Sequence, residues 1–222
     1  MDGGNARFRL VASAVLVAAG TALLVGCATQ DSTSGRGPQS TSPVPASVIA
    51  SAAILAPSDF SGSGWHVRNA TTAAPPGWRW DLRQCVLYDP ADYLAQQHRT
   101  AVRQESYAQG TGHEISVVVE SFAAGWGARS LEDTRAVLDT CGSYEFTDAK
   151  NDFRESHAVA AESFAGDESL LVEGVRIAPP APTRVQYTAV VRRGDLVVTV
   201  TGTGVAPDEV RHLASIAADR LV

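Results

Sequence analysis

The side chains able to do chemistry in this 222-residue chain are few and scattered. Five histidines, His66, His98, His113, His157 and His212, stand apart, without the His-Glu-x-x-His or similar spacing that sets two imidazoles on one metal ion. No Gly-x-Ser-x-Gly elbow raises a serine nucleophile, and no glycine-rich phosphate loop of the Walker or dinucleotide type is present. Asp167 and Glu168 are adjacent carboxylates, the raw material of acid–base work or cation binding. Neighbours at a strand entrance point apart, however, so Gly166-Asp167-Glu168-Ser169 reads as a plain turn. The pattern predicts no catalysis, no metal and no cofactor. Four tryptophans carry the binding signal. Trp65, Trp78 and Trp80 lie close together, beside Pro and Gly, and with Trp126 they could line an apolar ligand groove or act as core anchors.

The three thiols divide by position. Arg7 and Arg9 form a positive start, residues 10–25 run without a charge, and Gly26 and Cys27 close the run. A spanning helix needs about 20 predominantly apolar residues, so this shorter stretch suits a cleaved leader. Leu24-Val25-Gly26-Cys27 resembles the lipobox of bacterial lipoproteins, whose cysteine becomes the lipidated first residue of the mature chain. The resemblance implies a signal peptide over residues 1–26 and palmitate-type acyl chains on Cys27. It also implies a cell-membrane anchor on the extracytoplasmic face. Two acyl chains suffice for stable anchoring where one holds only marginally. Residues 27–46 are a Ser/Thr/Pro tether, too polar to offset the entropy of ordering. With Cys27 assigned to lipid, Cys85 and Cys141 remain as a pair in an exported chain, where disulfides persist. A Cys-x-x-Cys redox spacing is absent, so the pair reads as a structural staple.

Charge narrows the partners. The chain has 18 basic and 24 acidic side chains, a formal net charge of −6, and Lys150 is its one lysine. Losing Arg7, Arg9 and Asp2 with the leader makes the balance one unit more negative. An acidic domain without a basic stripe is a poor match for nucleic acid, where phosphate neutralisation supplies most of the affinity. Residues 47–222 are of a size for one domain with its own core.

The elements that must position these residues follow from periodicity. The stretch from Pro45 to Ala56 has an apolar face, with Ser47 as N-cap, predicting a first helix. A short strand is expected at 65–68, and Asp89-Pro90 opens a short helix to about residue 97. Residues 100–107 and 113–123 form a hairpin about Gly110 and Gly112. Ser130-x-x-Asp133 reads as a capping box for a helix over 131–140 that leads to Cys141. Residues 169–177, 184–192 and 196–203 are β-branched or alternating and read as strands, the last two turning at Arg193-Gly194-Asp195. Pro207 opens a final helix to residue 220. The expected fold class is α+β: a mostly antiparallel sheet of about five strands, helices packed on one face, one disulfide.

The order of parts carries a resemblance. It runs from the lipobox and Ser/Thr/Pro tether through an opening helix to a first Cys near a Trp and a hairpin ending in Glu120-Ser121-Phe122. A helix then leads to the second Cys, followed by Phe164-Ala165-Gly166-Asp167-Glu168 and the strand pair around Arg192-Arg193-Gly194-Asp195. This layout resembles the actinobacterial PknH-type extracellular sensor domains, found on Ser/Thr kinases and as free-standing lipoproteins. The resemblance implies a non-enzymatic ligand-binding or sensor domain with a cleft in an antiparallel α+β fold. The chain departs from those kinase domains in having cysteines for one disulfide rather than two. An envelope protein that docks a protein partner is the alternative function, and another lipoprotein family of similar α+β build is the alternative fold relative.

Overall fold

The structure, a computed structural model, describes residues 53–72, 82, 84–147 and 152–221. Cys27, the leader, the tether, the expected helical residues 47–52, Trp78 and Trp80 lie outside the described residues.

Eight strands form one sheet in which every neighbouring pair is antiparallel. In chain order they are β1 (His66–Thr71), β2 (Arg99–Gln109), β3 (His113–Phe122), β4 (Ser143–Thr147), β5 (Asp152–Glu162), β6 (Glu168–Ile177), β7 (Arg184–Arg193) and β8 (Leu196–Thr203). The spatial order is β1-β2-β3-β8-β7-β6-β5-β4. The expected α+β class and the antiparallel sheet are observed, with eight strands in place of about five. The missed pair is β4 and β5, whose residues are mostly exposed or half-buried on both sides, with Phe153 the buried exception. Strand β5 lacks the alternation that marks a strand in sequence, and β4 does alternate, with Tyr144 and Phe146 between polar neighbours, but over only five residues.

Two helices of more than two turns complete the described residues: α1 (Trp126–Cys141) and α2 (Pro207–Asp219). They lie on opposite faces of the sheet, which corrects the expectation of one helical face. Successive strand residues point to opposite sides. Ala189, Val191, Val198 and Val200 pack in the cluster that holds Val210, Leu213, Ala214 and Ala217 of α2, whereas Val190 and Val197 pack with Leu131 of α1. Runs such as Ala189-Val190-Val191 are therefore apolar at every position because both sides are covered there. Each buried Val or Leu contributes about 1.5–3 kcal/mol relative to an exposed one.

Local chemistry sets the helix ends. Pro207 occupies the first turn of α2, and Asp208 and Glu209 there complement the positive helix end. Glu209 also accepts from the backbone N–H and hydroxyl of Ser61 at 2.8 and 2.6 Å. Helix α1 starts five residues earlier than Ser130 predicts. Gly125 precedes it with φ 83°, a left-handed conformation that suits glycine. Ser130 and Asp133 are interior and buried, and Asp133 Oδ2 accepts the backbone N–H of Ala95 at 3.0 Å rather than closing a capping box. Asp89 does cap the next segment, accepting from Ala91 N–H at 2.9 Å, but residues 90–98 form two 3-10 turns instead of an α-helix. Residues 53–56 are not helical either, although Ala53 and Leu55 are buried as an apolar face requires.

The expected Cys85–Cys141 disulfide is present, with 5.9 Å between the Cα atoms. It ties the C-terminal turn of α1 to the segment before the 3-10 turns, within a cluster of Leu82, Tyr93 and Val137. No helix among the described residues is long and apolar enough to cross a membrane.

Candidate functional site

The second face of the sheet, the one bearing α1, is only partly covered by the described residues. Helix α1 crosses it on a diagonal. At its start Gly127 N–H donates to Asp195 Oδ1 in the β7–β8 turn at 3.1 Å, and past its end Gly142 O accepts from His157 N–H of β5 at 2.6 Å. A helix of this length reaches about 1.5 Å per residue. It leaves the lower part of β1, β2, β3, β8 and β7 open.

Register fills that open area with small polar groups. Asn69 pairs with Ser106, Ser106 with Ser116, Ser116 with Thr201, and Thr201 with Thr188. Four of these strands thus present an accessible amide or hydroxyl at one level, with Thr188 on the fifth buried beside Thr201, while the alternate residues Val117 and Val200 serve the core behind. One level lower, Glu114, Thr203 and Gln186 continue the surface. The result is a groove of about 390 Å³. Thr188 and Thr201 hydroxyls lie 3.3 Å apart, and Gln104 Nε2 donates to Ser116 Oγ at 3.3 Å. At the rim the Arg68 guanidinium and Glu114 carboxylate form an ion pair, both more than half exposed.

The lower level extends to Gly174 and His157 on β6 and β5. A Cβ on Gly174 would lie 3.1 Å from the imidazole, so glycine is what lets the ring lie flat against the strand. The His157 side chain is 6% exposed, and its Nε2 is 3.4 Å from Glu155 Oε1. Burial lowers its pKa from 6.5 to about 4, so the ring is neutral near neutral pH. On the first face, Glu105 is buried beside Arg103 at 2.5 Å and accepts from Tyr107 Oη at 3.0 Å. Burial, reinforced by the Glu105 carboxylate, raises the Tyr107 phenol above its ordinary value. The single Tyr107 hydroxyl proton is shared between Glu105 and Leu55 O, the latter at 2.5 Å, so this cluster fastens the entering chain to the sheet.

The two described tryptophans do not meet. Trp65 stacks on Phe60 at 4.9 Å and packs at the core of the first face, its Nε1 donating to Ser61 O at 3.2 Å. Trp126 stacks on His98 at 3.5 Å on the second face, over Phe122, Leu131 and Val197. The carboxylates at 167 and 168 are held by cations and amides. Asp167 Oδ2 accepts from Gly194 N–H at 2.7 Å, and Glu168 lies between Arg192 and Arg135. They lock two turns together. His66, His113 and His212 are exposed, on β1, β3 and α2. Among the described residues no group of three or more His, Cys, Asp or Glu side chains is arranged to hold a metal ion.

The groove residues were not singled out by the sequence reading. Their signal was the polar positions alternating with Val, as in Ser116-Val117 and Val200-Thr201, but only the strand order shows that these positions adjoin.

No family model and no curated protein matches the chain. Among solved structures, the crystal structure of the extracellular domain of PknH from Mycobacterium tuberculosis matches with a TM-score of 0.58 at 15% identity, over 81% of this chain and 97% of that one. An uncharacterized Mycobacterium smegmatis protein, an Rv0999 ortholog, gives a TM-score of 0.45 at 16% identity, over 80% of this chain and 98% of that one. At these identities the likeness is one of fold, and at that level the expected similarity to the PknH extracellular domain is found.

Proposed function

We propose that this chain is an extracytoplasmic lipoprotein, anchored through Cys27, whose domain binds a ligand without transforming it. The observation that carries the binding part is the open polar groove, where side chains from five strands converge on a face that α1 covers only in part. A fold shared with a kinase's extracellular domain and an intact disulfide support placement outside the cytoplasm. The groove holds hydroxyls and amides in a row but no nucleophile–base pair, which suits recognition better than turnover.

Native mass spectrometry of the protein released gently from its own envelope tests binding. A copurifying small molecule supports the reading, and a bare polypeptide mass in repeated preparations contradicts it. For the anchor, wild-type protein should take up labelled fatty acid and show globomycin-sensitive processing, and Cys27→Ala should lose both. Labelling retained in that variant ends the lipoprotein reading.

A second reading rests on Val86 and Leu87, which are 96% and 67% exposed beside the disulfide. Adjacent exposed apolar side chains on a tied loop suit contact with a protein partner in the envelope.

A further inference from the structure

The chemistry of the groove narrows what it can take. Serine, threonine, asparagine and glutamine side chains each donate and accept hydrogen bonds. Asn69, Ser106, Ser116, Thr201 and Gln186 therefore offer both roles at successive strands. An anion site would instead present donors and unpaired cations, and the cation at this rim, Arg68, is neutralised by Glu114. The formal net charge of −6 disfavours anions further. An acyl chain would find little to bury against, since stabilisation follows the apolar area removed from water, about 25 cal/mol per Å². What remains is a neutral ligand whose own groups both donate and accept.

Spacing agrees with that class. Strands lie about 4.8 Å apart, close to the width of one pyranose ring, so each ring would meet a new hydroxyl or amide. The 390 Å³ groove falls at the small end of ligand sites, roughly 300–1,000 Å³.

Resting on the ligand-binding reading above, we propose that the groove takes a neutral disaccharide-sized carbohydrate. Thr201, fourth in the row, hydrogen-bonds a sugar hydroxyl, with Ser116 beside it on β3 and Gln186 one level lower on β7.

The test is a titration of the ¹⁵N-labelled domain followed by amide chemical shifts. The probes are maltose, cellobiose, sucrose and N,N′-diacetylchitobiose at up to tens of millimolar, inorganic phosphate, octanoate, and a total envelope extract. The expected result is saturable shifts at Ser106, Ser116 and Thr201 with at least one disaccharide and not with phosphate or octanoate. Thr201→Val keeps the β-branched shape and should weaken that binding about 2–10-fold, the worth of one hydrogen bond. Ser116→Ala gives a second variant if Thr201→Val fails to fold. Shifts at the groove with phosphate, octanoate or only the extract would overturn the carbohydrate class and leave the ligand site standing. No shift there with any probe or with the extract would overturn both. Disaccharide binding that both variants leave unchanged would also overturn the assignment.

Discussion

His157 makes the fold sensitive to mild acid, and the size of the effect can be worked out. The ring lies against Gly174, with Glu155 and then Arg176 on the same face, and the backbone N–H of His157 donates to Gly142 O past the end of α1. Its pKa falls from 6.5 to about 4 because burial disfavours the imidazolium. A depressed pKa means that the unfolded chain binds the extra proton first. The contribution to stability is present above about pH 6.5 and is lost as the pH falls toward 4. The full shift corresponds to roughly 3 kcal/mol at 1.36 kcal/mol per unit. The Glu155 carboxylate, 3.4 Å away, offsets part of the cost of charging the ring, so the expected loss is on the order of 2 kcal/mol. Other carboxylates titrate in the same window, so the assay is a difference. Urea unfolding of the wild type and His157→Gln at about pH 7 and about pH 4.5 isolates this one group. The wild type should lose on the order of 2 kcal/mol more than the variant. Equal losses, or an imidazole that titrates near 6.5 by NMR, would refute the reasoning.

Three further outcomes follow from the packing. Replacing Cys85 and Cys141 together by Ala should lower stability by about 4 kcal/mol in the loop-closure account, given their separation of 56 residues; denaturation with and without reductant should show the same gap in the wild type and none in the variant. Gly127→Ala would set its Cβ 2.6 Å from Asp195 Cα and Gly194 O, backbone atoms that cannot swing aside. It should cost about 1–3 kcal/mol, read as a lower melting temperature, and an unchanged melting temperature would show that α1 does not sit this close to the β7–β8 turn. Leu213→Ala, at a fully buried site on α2, should cost about 2–5 kcal/mol, whereas a loss below about 1 kcal/mol would place α2 off the sheet.

What could be read in advance depended on where each residue's partners lie along the chain. Strands β6, β7 and β8 were legible because their β-branched runs are buried on both faces near the centre of the sheet. The β2–β3 hairpin was legible because its turn chemistry is local, with Gly110 and Gly112 between the arms. Strand β5 was not, since toward the sheet's outer side its polar and alanine side chains face solvent on both sides. The start of α1 misled because Ser130 and Asp133 have the spacing of a cap, yet Asp133 is used by Ala95, thirty-eight residues away in sequence. The pairing of β3 with β8 is longer in range still. It creates the polar row by setting Ser116 beside Thr201, and no local pattern in either strand announces it. The tryptophans drew attention by rarity, but Trp65 and Trp126 belong to clusters on opposite faces.

The claim that the polar groove of the second face is a ligand site is tested most directly by mapping amide shifts on the ¹⁵N-labelled domain in an extract of its own envelope. The account predicts perturbations centred on Asn69, Ser106, Ser116, Gln186 and Thr201. Perturbations confined to Val86, Leu87 and their neighbours, or none at all, would contradict it.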